Sequence, residues 1–350
     1  MNRGLLFLGD AYFINGRVGV GTYHSNIINE LSEDYDIVVP SSYSAQLPKN
    51  ANPITLSKWQ RKKISLLKWF LPVSFFFKGY DYIITDSFSF KKGKTLTRLF
   101  MIIHDCMCFT EPQNYTFAQR LYAHIASKSY KNAERIIAVS QSTRQTIHDL
   151  FHISYNKISL ISNVTSFTFK WNPTDYFLYI GDMRKTKNLH NLISGFSLYL
   201  KQSGNNEKLI ICGRKKYEFD NLSKQVNDLG IHESVIFTGY VTEEDKKNYF
   251  EKTKALLLLS DNEGFGIPLI EASTNGVPVI CSDIPVFHEI LSNEAAVFVD
   301  NKDINEIAGA FSIIQNKTVA SDYSNMLKDE YSLKQFNWKL NELLNNGSIN

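Results

Sequence analysis

Two glutamates stand in an otherwise apolar, glycine-rich run. In DNEGFGIPLIEASTNGVPVI, residues 261–280, Glu263 and Glu271 are separated by seven residues. The preceding KALLLLS reads as a buried strand, which makes residues 261–266 the loop at its carboxyl end. Pro268 suits the first turn of a helix, where its missing N–H costs nothing. That helix is expected to run to about Asn275 and to stop at Gly276. Glu263 then lies in the loop and Glu271 one turn into the helix, both able to face a ligand. The amides of Gly264, Phe265, Gly266 and Ile267 open the helix, and a helix N-terminus is a natural anion site. Carboxylates accept paired hydrogen bonds from vicinal hydroxyls, as on a ribose or a pyranose. Two carboxylates flanking an anion site therefore suit a ligand with a phosphate part and a hydroxylated part. The ordinary alternative is that Glu271 caps a helix while Glu263 is solvated.

Such residues need a scaffold, and the chain shows one pattern nearly from end to end. Short apolar runs alternate with helix-period segments. In the first half LLFLG, DIVVP, DYIIT, FMIIH, RIIAVS and ISLI are strand candidates, with helical patterns such as GTYHSNIINELSE and AQRLYAHIASKSYKN between them. The pattern breaks over residues 163–175, NVTSFTFKWNPTD, which reads as a linker. It restarts with YFLYIG, KLIICG, SVIFTG, KALLLLS, PVICSD and AAVFVD, and from Asp303 onward only helices follow. This alternation implies parallel sheets covered on both faces. The expected fold class is α/β, with two doubly wound, Rossmann-like domains facing across a cleft. In such sheets ligands bind outside the carboxyl ends of strands. Gly181, Gly213, Gly239, His104 and Asp105 follow strand candidates and are further places to look. The cleft is the default active site.

Composition narrows the classes. A chain of 350 residues exceeds one ordinary core, so two domains are expected. The formal charge of +3 is small for this length and argues against a nucleic-acid binder, which carries a concentrated basic face. Cys106, Cys108, Cys212 and Cys281 make no disulfide framework in so long a chain. Cys106 and Cys108 form a lone C-x-C with no second pair, a poor spacing for zinc. A reducing, cytoplasmic compartment fits. The apolar run at the N-terminus is short for a signal peptide, and WFLPVSFFF at 69–77 falls well below the ~20 residues that span a bilayer.

Several stretches together resemble one family. NEGFGIPLIEASTNGVPVICSD resembles the E-x7-E signature of family-4 retaining glycosyltransferases of the GT-B fold. YIGDMRKTKNLHNLISGF is similar to the strand, loop and helix that open their donor-binding domain, and LIICGRKKY and FTGYVTEEDKKNYF to the next two blocks. FMIIHDCMCFTEPQNY resembles the His-Asp block of the acceptor domain, and RIIAVSQSTRQTI its last strand and helix. GRVGVGTYHSNII is similar to the glycine loop after the first strand, and FNWKL to the C-terminal helix that crosses back to the first domain. The likeness covers nearly the whole chain in the family's order. It implies an acceptor-binding domain over residues 1–165, a nucleotide-sugar donor domain over 166–330, and a returning helix over 331–350.

The resemblance also implies roles. Glu271 would hold ribose hydroxyls, and Glu263 would lie beside the sugar being transferred. Amides of Gly264, Phe265, Gly266 and Ile267 would meet the diphosphate and sugar. Lys187 would neutralise the leaving diphosphate, and Arg214 would sit near the phosphates or the base. His104 would approach the sugar from the acceptor domain and stabilise the transition state. Gly19 and Gly21 would let the backbone come close to the phosphates. The plainer alternatives are a solvated Lys187 and a core histidine at position 104. Asp105 reads as a loop cap. One departure stands out: many relatives carry arginine directly after the glycine of the YIG block, where this chain has Asp182. A carboxylate there would repel a diphosphate, leaving Arg184 or Arg214 to compensate.

No cofactor and no metal are expected. The lone D-x-D, Asp34 to Asp36, precedes a strand, on the wrong side of a sheet for a ligand. Residues 57–79 mix six cations with Trp59, Trp69 and Phe70, a composition suited either to an anionic membrane surface or to a helix with a snorkelling basic face. The implied activity is transfer of a sugar, mannose or rhamnose, from a nucleotide-diphosphate donor to a polyprenyl-linked saccharide in surface polysaccharide synthesis. The implied location is cytoplasmic, peripheral at the inner face of the membrane. Two alternatives stay open: a nucleotide-sugar epimerase or hydrolase on the same fold, and a nucleotide-sugar-binding protein without activity.

Overall fold

The computed structural model describes residues 4–8, 19–31, 33–40, 47–57, 60, 79–86, 97–174, 176–215 and 218–346. The chain divides into two compact units, one of residues 1–164 with 333–350 and one of residues 165–332.

The first unit holds β1 (Gly4–Phe7), α1 (Gly19–Glu30), β2 (Tyr35–Pro40), β3 (Ala51–Leu56), β4 (Tyr82–Thr85), β5 (Arg98–Ile103), α2 (Met107–Thr110), α3 (Phe117–Ser127), β6 (Arg135–Ala138), α4 (Gln141–Phe151) and β7 (Ile158–Leu160). Its seven strands lie in the order β3-β2-β1-β4-β5-β6-β7, and every pairing is parallel. Parallel strands covered on both faces need apolar residues at every position, not at alternate ones. β1 and β4 are buried throughout and β5 all but its first residue, with Leu5, Ile83, Met101 and Ile136 in one core cluster.

β3 is the strand that pattern reading misses. ANPITL carries an internal proline and is mostly exposed, so it lacks a buried apolar run. It sits at the sheet edge, where proline is tolerated because one side of the strand needs no ladder.

The second unit holds β8 (Tyr176–Ile180), α5 (Leu189–Ser203), β9 (Lys208–Cys212), α6 (Phe219–Asp228), β10 (Val235–Gly239), α7 (Glu243–Lys252), β11 (Thr253–Leu258), α8 (Ile267–Ser273), β12 (Val279–Ser282), α9 (Pro285–Ile290), β13 (Ala296–Val299), α10 (Ile304–Ile314) and α11 (Ser321–Glu330). Its six strands run β10-β9-β8-β11-β12-β13, again all parallel. The order reverses between β8 and β11, which makes the crevice at their carboxyl ends the place where such a sheet binds ligands. α5 and α10 pack together over β8, where Phe177 meets Phe311 edge-on at 4.8 Å. The stretch after residue 164 is fastened along this unit: Trp171 Nε1 donates to Thr253 O at 2.7 Å and the Phe169 amide to Asn275 Oδ1 at 3.1 Å.

The last helix, α12 (Leu333–Asn346), belongs to the first unit. It packs on α1, with Phe336 against Tyr23 at 5.5 Å and Asn337 Nδ2 donating to Glu30 O at 3.0 Å. Arg98 donates to Leu344 O at 2.6 Å, which ties the C-terminal end of the helix to the start of β5. Phe336 is fully buried. Phe336→Ala should therefore leave a cavity against Tyr23 and lower the stability of the first unit by about 3–5 kcal/mol. Calorimetry checks this, and an unchanged thermogram would remove the helix from that unit's core.

Candidate functional site

In the second unit the loops after β8 and β11 meet. The segment after β8 turns at Gly181 and ends in a 3-10 turn over Lys185–Lys187. Asn188 follows in the left-handed region, φ 51, and its side chain reaches across the sheet end. It donates to Leu259 O at 3.1 Å and to Asp261 Oδ1 at 2.6 Å. Asn301, beyond β13, donates to Leu259 O at 3.2 Å and Ser260 O at 3.1 Å, and the Asp261 amide donates to Thr186 O at 2.9 Å. Two asparagines thus satisfy carbonyls that the loop after β11 would otherwise bury unpaired.

Lys187 and Glu263 are brought together by this framework. The Lys187 ammonium donates to Glu263 Oε1, and Ser260 Oγ donates to the same oxygen at 2.7 Å. Both side chains remain partly open, 20% and 15% exposed. Arg214 and Arg184 gather round the unexpected acid instead: Arg214 Nε lies 3.2 Å from Asp182 Oδ1, and Arg184 Nε 3.9 Å from Asp182 Oδ2. Asp182 therefore does not stand alone but is met by both arginines. The loops carrying these residues touch at backbone level, since a side chain at Gly213 would put its Cβ 2.0 Å from Gly181 O.

α8 begins at Ile267 with Pro268 in its first turn, as expected, and ends at Ser273, two residues earlier than the sequence suggests. Gly266 precedes it with φ 117, a conformation that side chains rarely adopt. Phe265 is buried and lies edge-on to Tyr331 at 5.7 Å. Glu271 differs from expectation. It does not face outward but is 6% exposed, because α8 is packed against β11, β12 and α11. Its Oε1 accepts from Lys246 Nζ of α7 at 2.6 Å, and its Oε2 has no partner among the described residues. Burial raises the pKa of this carboxyl, Lys246 opposes that rise, and Glu243 adds to it. The ammonium of Lys246 also stands over the Phe167 ring at 4.6 Å. The two glutamates thus sit in separate ion pairs.

The remaining expected residues belong to the first unit. Gly19 and Gly21 occupy the first turn of α1, and the preceding residues of the glycine loop lie outside the described residues. His104 follows β5 directly, and its Nε2 is buried with no partner among the described residues. Burial pushes its pKa down to about 4; Asp86 opposes this and His24 adds to it. The ring is therefore neutral at pH 7. It meets Tyr23 edge-on at 5.4 Å and His24 at 5.4 Å, while His24 Nε2 lies 3.0 Å from Asp86 Oδ2. Ligand atoms of His24, Asp86 and His104 all lie within 4.8 Å of one another, so this trio is where the described residues could hold a metal ion. Asp105 caps the loop, its Oδ1 accepting from the Met107 amide at 3.0 Å. Asp36 of the D-x-D, on β2, accepts from the Tyr80 hydroxyl. The four cysteines are free thiols.

Lys246, Ser260, Asn188, Asn301, His24 and Asp86 escape the sequence reading. Lys246 lies in EEDKKNYFEK, where a charged helix reads as solvated. Asn188 stands at a helix-cap position, a signal that suggests a different partner from the one it has. His24 carries the clearest signal, since it shares the buried face of α1 with Tyr23, Ile27 and Ile28.

Comparison with known proteins bears on this geometry. Residues 166–328 match the family model for Glycosyl transferases group 1. The O-antigen chain mannosyltransferase RfbU of Salmonella typhimurium is 33% identical over 238 residues, 64% of this chain and 65% of that protein. O-antigen chain mannosyltransferase B of Escherichia coli is 27% identical over 61% of this chain and 60% of its own length. The chain thus spans less than two thirds of these curated relatives. Among solved structures, sucrose-phosphate synthase from Thermosynechococcus elongatus superposes with a TM-score of 0.77 at 16% identity, covering 99% of this chain and 98% of that one. Anabaena HepE in complex with UDP and glucose gives 0.74 at 15% identity, covering 98% and 99%. The chain has the GT-B fold, and it is over residues 166–328 that it resembles the Glycosyl transferases group 1 family.

Proposed function

We propose that the chain transfers mannose, with retention at the anomeric carbon, from a nucleoside-diphosphate donor to a lipid-linked saccharide of a surface polysaccharide. The observation that carries this reading is the Lys187–Glu263 pair with Ser260 at the β8/β11 switch point, inside a domain whose relatives are named O-antigen mannosyltransferases. Without donor, Lys187 is held by Glu263. With donor, Lys187 takes the diphosphate and leaves Glu263 to accept hydroxyls of the transferred sugar. Glu271 Oε2, an acceptor without a partner, takes ribose hydroxyls.

When the bond from the anomeric carbon to the diphosphate breaks, negative charge grows on the leaving phosphate. Lys187, Arg214 and Arg184, with the amides of Gly264 to Ile267, meet that charge in place of a divalent metal. Gly19 and Gly21 keep the start of α1 slim enough for close backbone approach to phosphate. In the acceptor-binding first unit, neutral His104 stabilises the transition state by hydrogen bonding, not as a cation. The lipid-linked acceptor sets the location, at the inner face of the cytoplasmic membrane. The basic and aromatic segment expected to meet that membrane lies almost wholly outside the described residues.

A panel of nucleotide sugars, assayed in excess EDTA, tests the reading. GDP-mannose at ~100 times its dissociation constant should stabilise the chain by roughly 2.7 kcal/mol, and transfer should persist with chelator present. Activity lost in EDTA and restored by magnesium would sink the metal-free clamp, and no stabilisation by any nucleotide sugar would sink the donor site. The two glutamates should fail differently. Glu271→Ala should weaken donor affinity most, because ribose contacts are alike in ground and transition states, whereas Glu263→Ala should cut turnover more than affinity. Steady-state kinetics decide between them.

Lys187→Ala should lower turnover by roughly 10²-fold, as expected for a lost preorganised charge donor. Asp182→Ala should also be damaging, because it releases Arg214 and Arg184 together. Single-turnover rates for the two variants check this, and a fully active Asp182→Ala enzyme would show that the arginines need no anchor.

A further inference from the structure

α3 is built the wrong way round for a helix that serves a core. Two of its three alanines lie inward, Ala126 buried and Ala123 half-buried, while Ala118 in the first turn is exposed. Its large apolar residues point out, with Phe117 72%, Leu121 48% and Ile125 39% exposed. These three recur every fourth residue, so they form one stripe along the helix. The stripe does not come from a fraying end, because Thr116 and Gln119 close a full capping box at the N-terminus. The charge around it has one sign. No Asp or Glu occurs from Pro112 to Ala133, whereas Arg120, Lys128 and Lys131 are exposed. On the helical period Arg120 lies beside the apolar stripe, and Lys128, the C-cap, continues its line past the last turn. A helix with an outward apolar stripe and a cationic rim matches the charge and polarity profile of an anionic lipid interface.

We propose that α3 docks the protein on an anionic lipid surface, with Phe117, Leu121 and Ile125 entering the acyl boundary and Arg120, Lys128 and Lys131 meeting lipid phosphates. The stripe lies close to the acceptor-side histidine in the chain: α2 begins three residues after His104 and packs against α3. This inference deepens the proposed function, since it supplies the surface from which a lipid-linked acceptor would be presented. Lipid binding is measured without sugar transfer, so the two readings fail separately.

The test is co-sedimentation of the full chain with vesicles of phosphatidylglycerol and phosphatidylcholine, and with pure phosphatidylcholine. The chain should bind the anionic vesicles at low salt and leave them at high salt. Arg120→Glu with Lys128→Glu, and separately Phe117→Ser with Leu121→Ser and Ile125→Ser, should each reduce the partition coefficient by about tenfold or more. Both variants should keep the wild-type circular dichroism and the nucleotide-sugar thermal shift, which separates lost docking from lost folding or lost donor binding. Equal binding by wild type and variants would overturn the proposal. So would absence of vesicle binding, or a concentration-dependent dimer that the serine variant abolishes, which would assign the stripe to a second copy of the chain.

Discussion

A carboxylate taken out of water has to be given a cation or lose its charge, and the second unit meets that demand three times around one end of a sheet. Lys187 answers Glu263, Lys246 answers Glu271, and Arg214 with Arg184 answers Asp182. Lys187–Glu263 and the arginines on Asp182 stay partly open to water, whereas removing Lys246 would leave the buried Glu271 unpaired in a poorly polarisable site, at a cost of about 3–5 kcal/mol. Glu271 is the extreme case. Its burial raises its pKa, and Lys246 is the group that opposes neutralisation. The loops around these pairs are shaped to suit them: asparagines from beyond β8 and β13 tie down the strand end that carries Glu263.

The sheet order explains why so much of this region was legible. In a parallel sheet the carboxyl ends of all strands point the same way, so a residue's place after an apolar run already fixes which end of the sheet it occupies. All six strands of the second sheet correspond to apolar runs visible in the sequence, and Lys187, Arg214 and Glu263 fall after β8, β9 and β11 as that logic requires. β3 stayed hidden because an exposed edge strand with an internal proline has no apolar run to show.

Pairing was not legible, for a physical reason. Periodicity says which face of an element is dry, but not which charge from a distant helix will be turned toward it. Lys246 is 25 residues from Glu271 in a helix whose other charged residues are mostly exposed. Glu271 was expected to face a ligand because it stands one turn into a helix that begins at a strand's carboxyl end. The helix carrying it is instead enclosed by β11, β12 and α11. Asp182 was read as an acid repelling phosphate, and the missing information was the reach of Arg214 from the next loop.

The position of α12 bears on how the polypeptide is made. The helix that covers Tyr23 of α1 and ties to Arg98 of β5 is encoded after the whole second unit. During synthesis, residues 1–164 emerge without it and wait while 165–332 are translated. The second unit is contiguous and can close as soon as it leaves the ribosome, whereas the earlier-made unit keeps an apolar surface on α1 open until α12 has been translated. Order of synthesis and order of completion are therefore inverted. A nascent chain that stops short of α12 therefore holds a complete second unit while the first still exposes the flank of α1 that Phe336 covers.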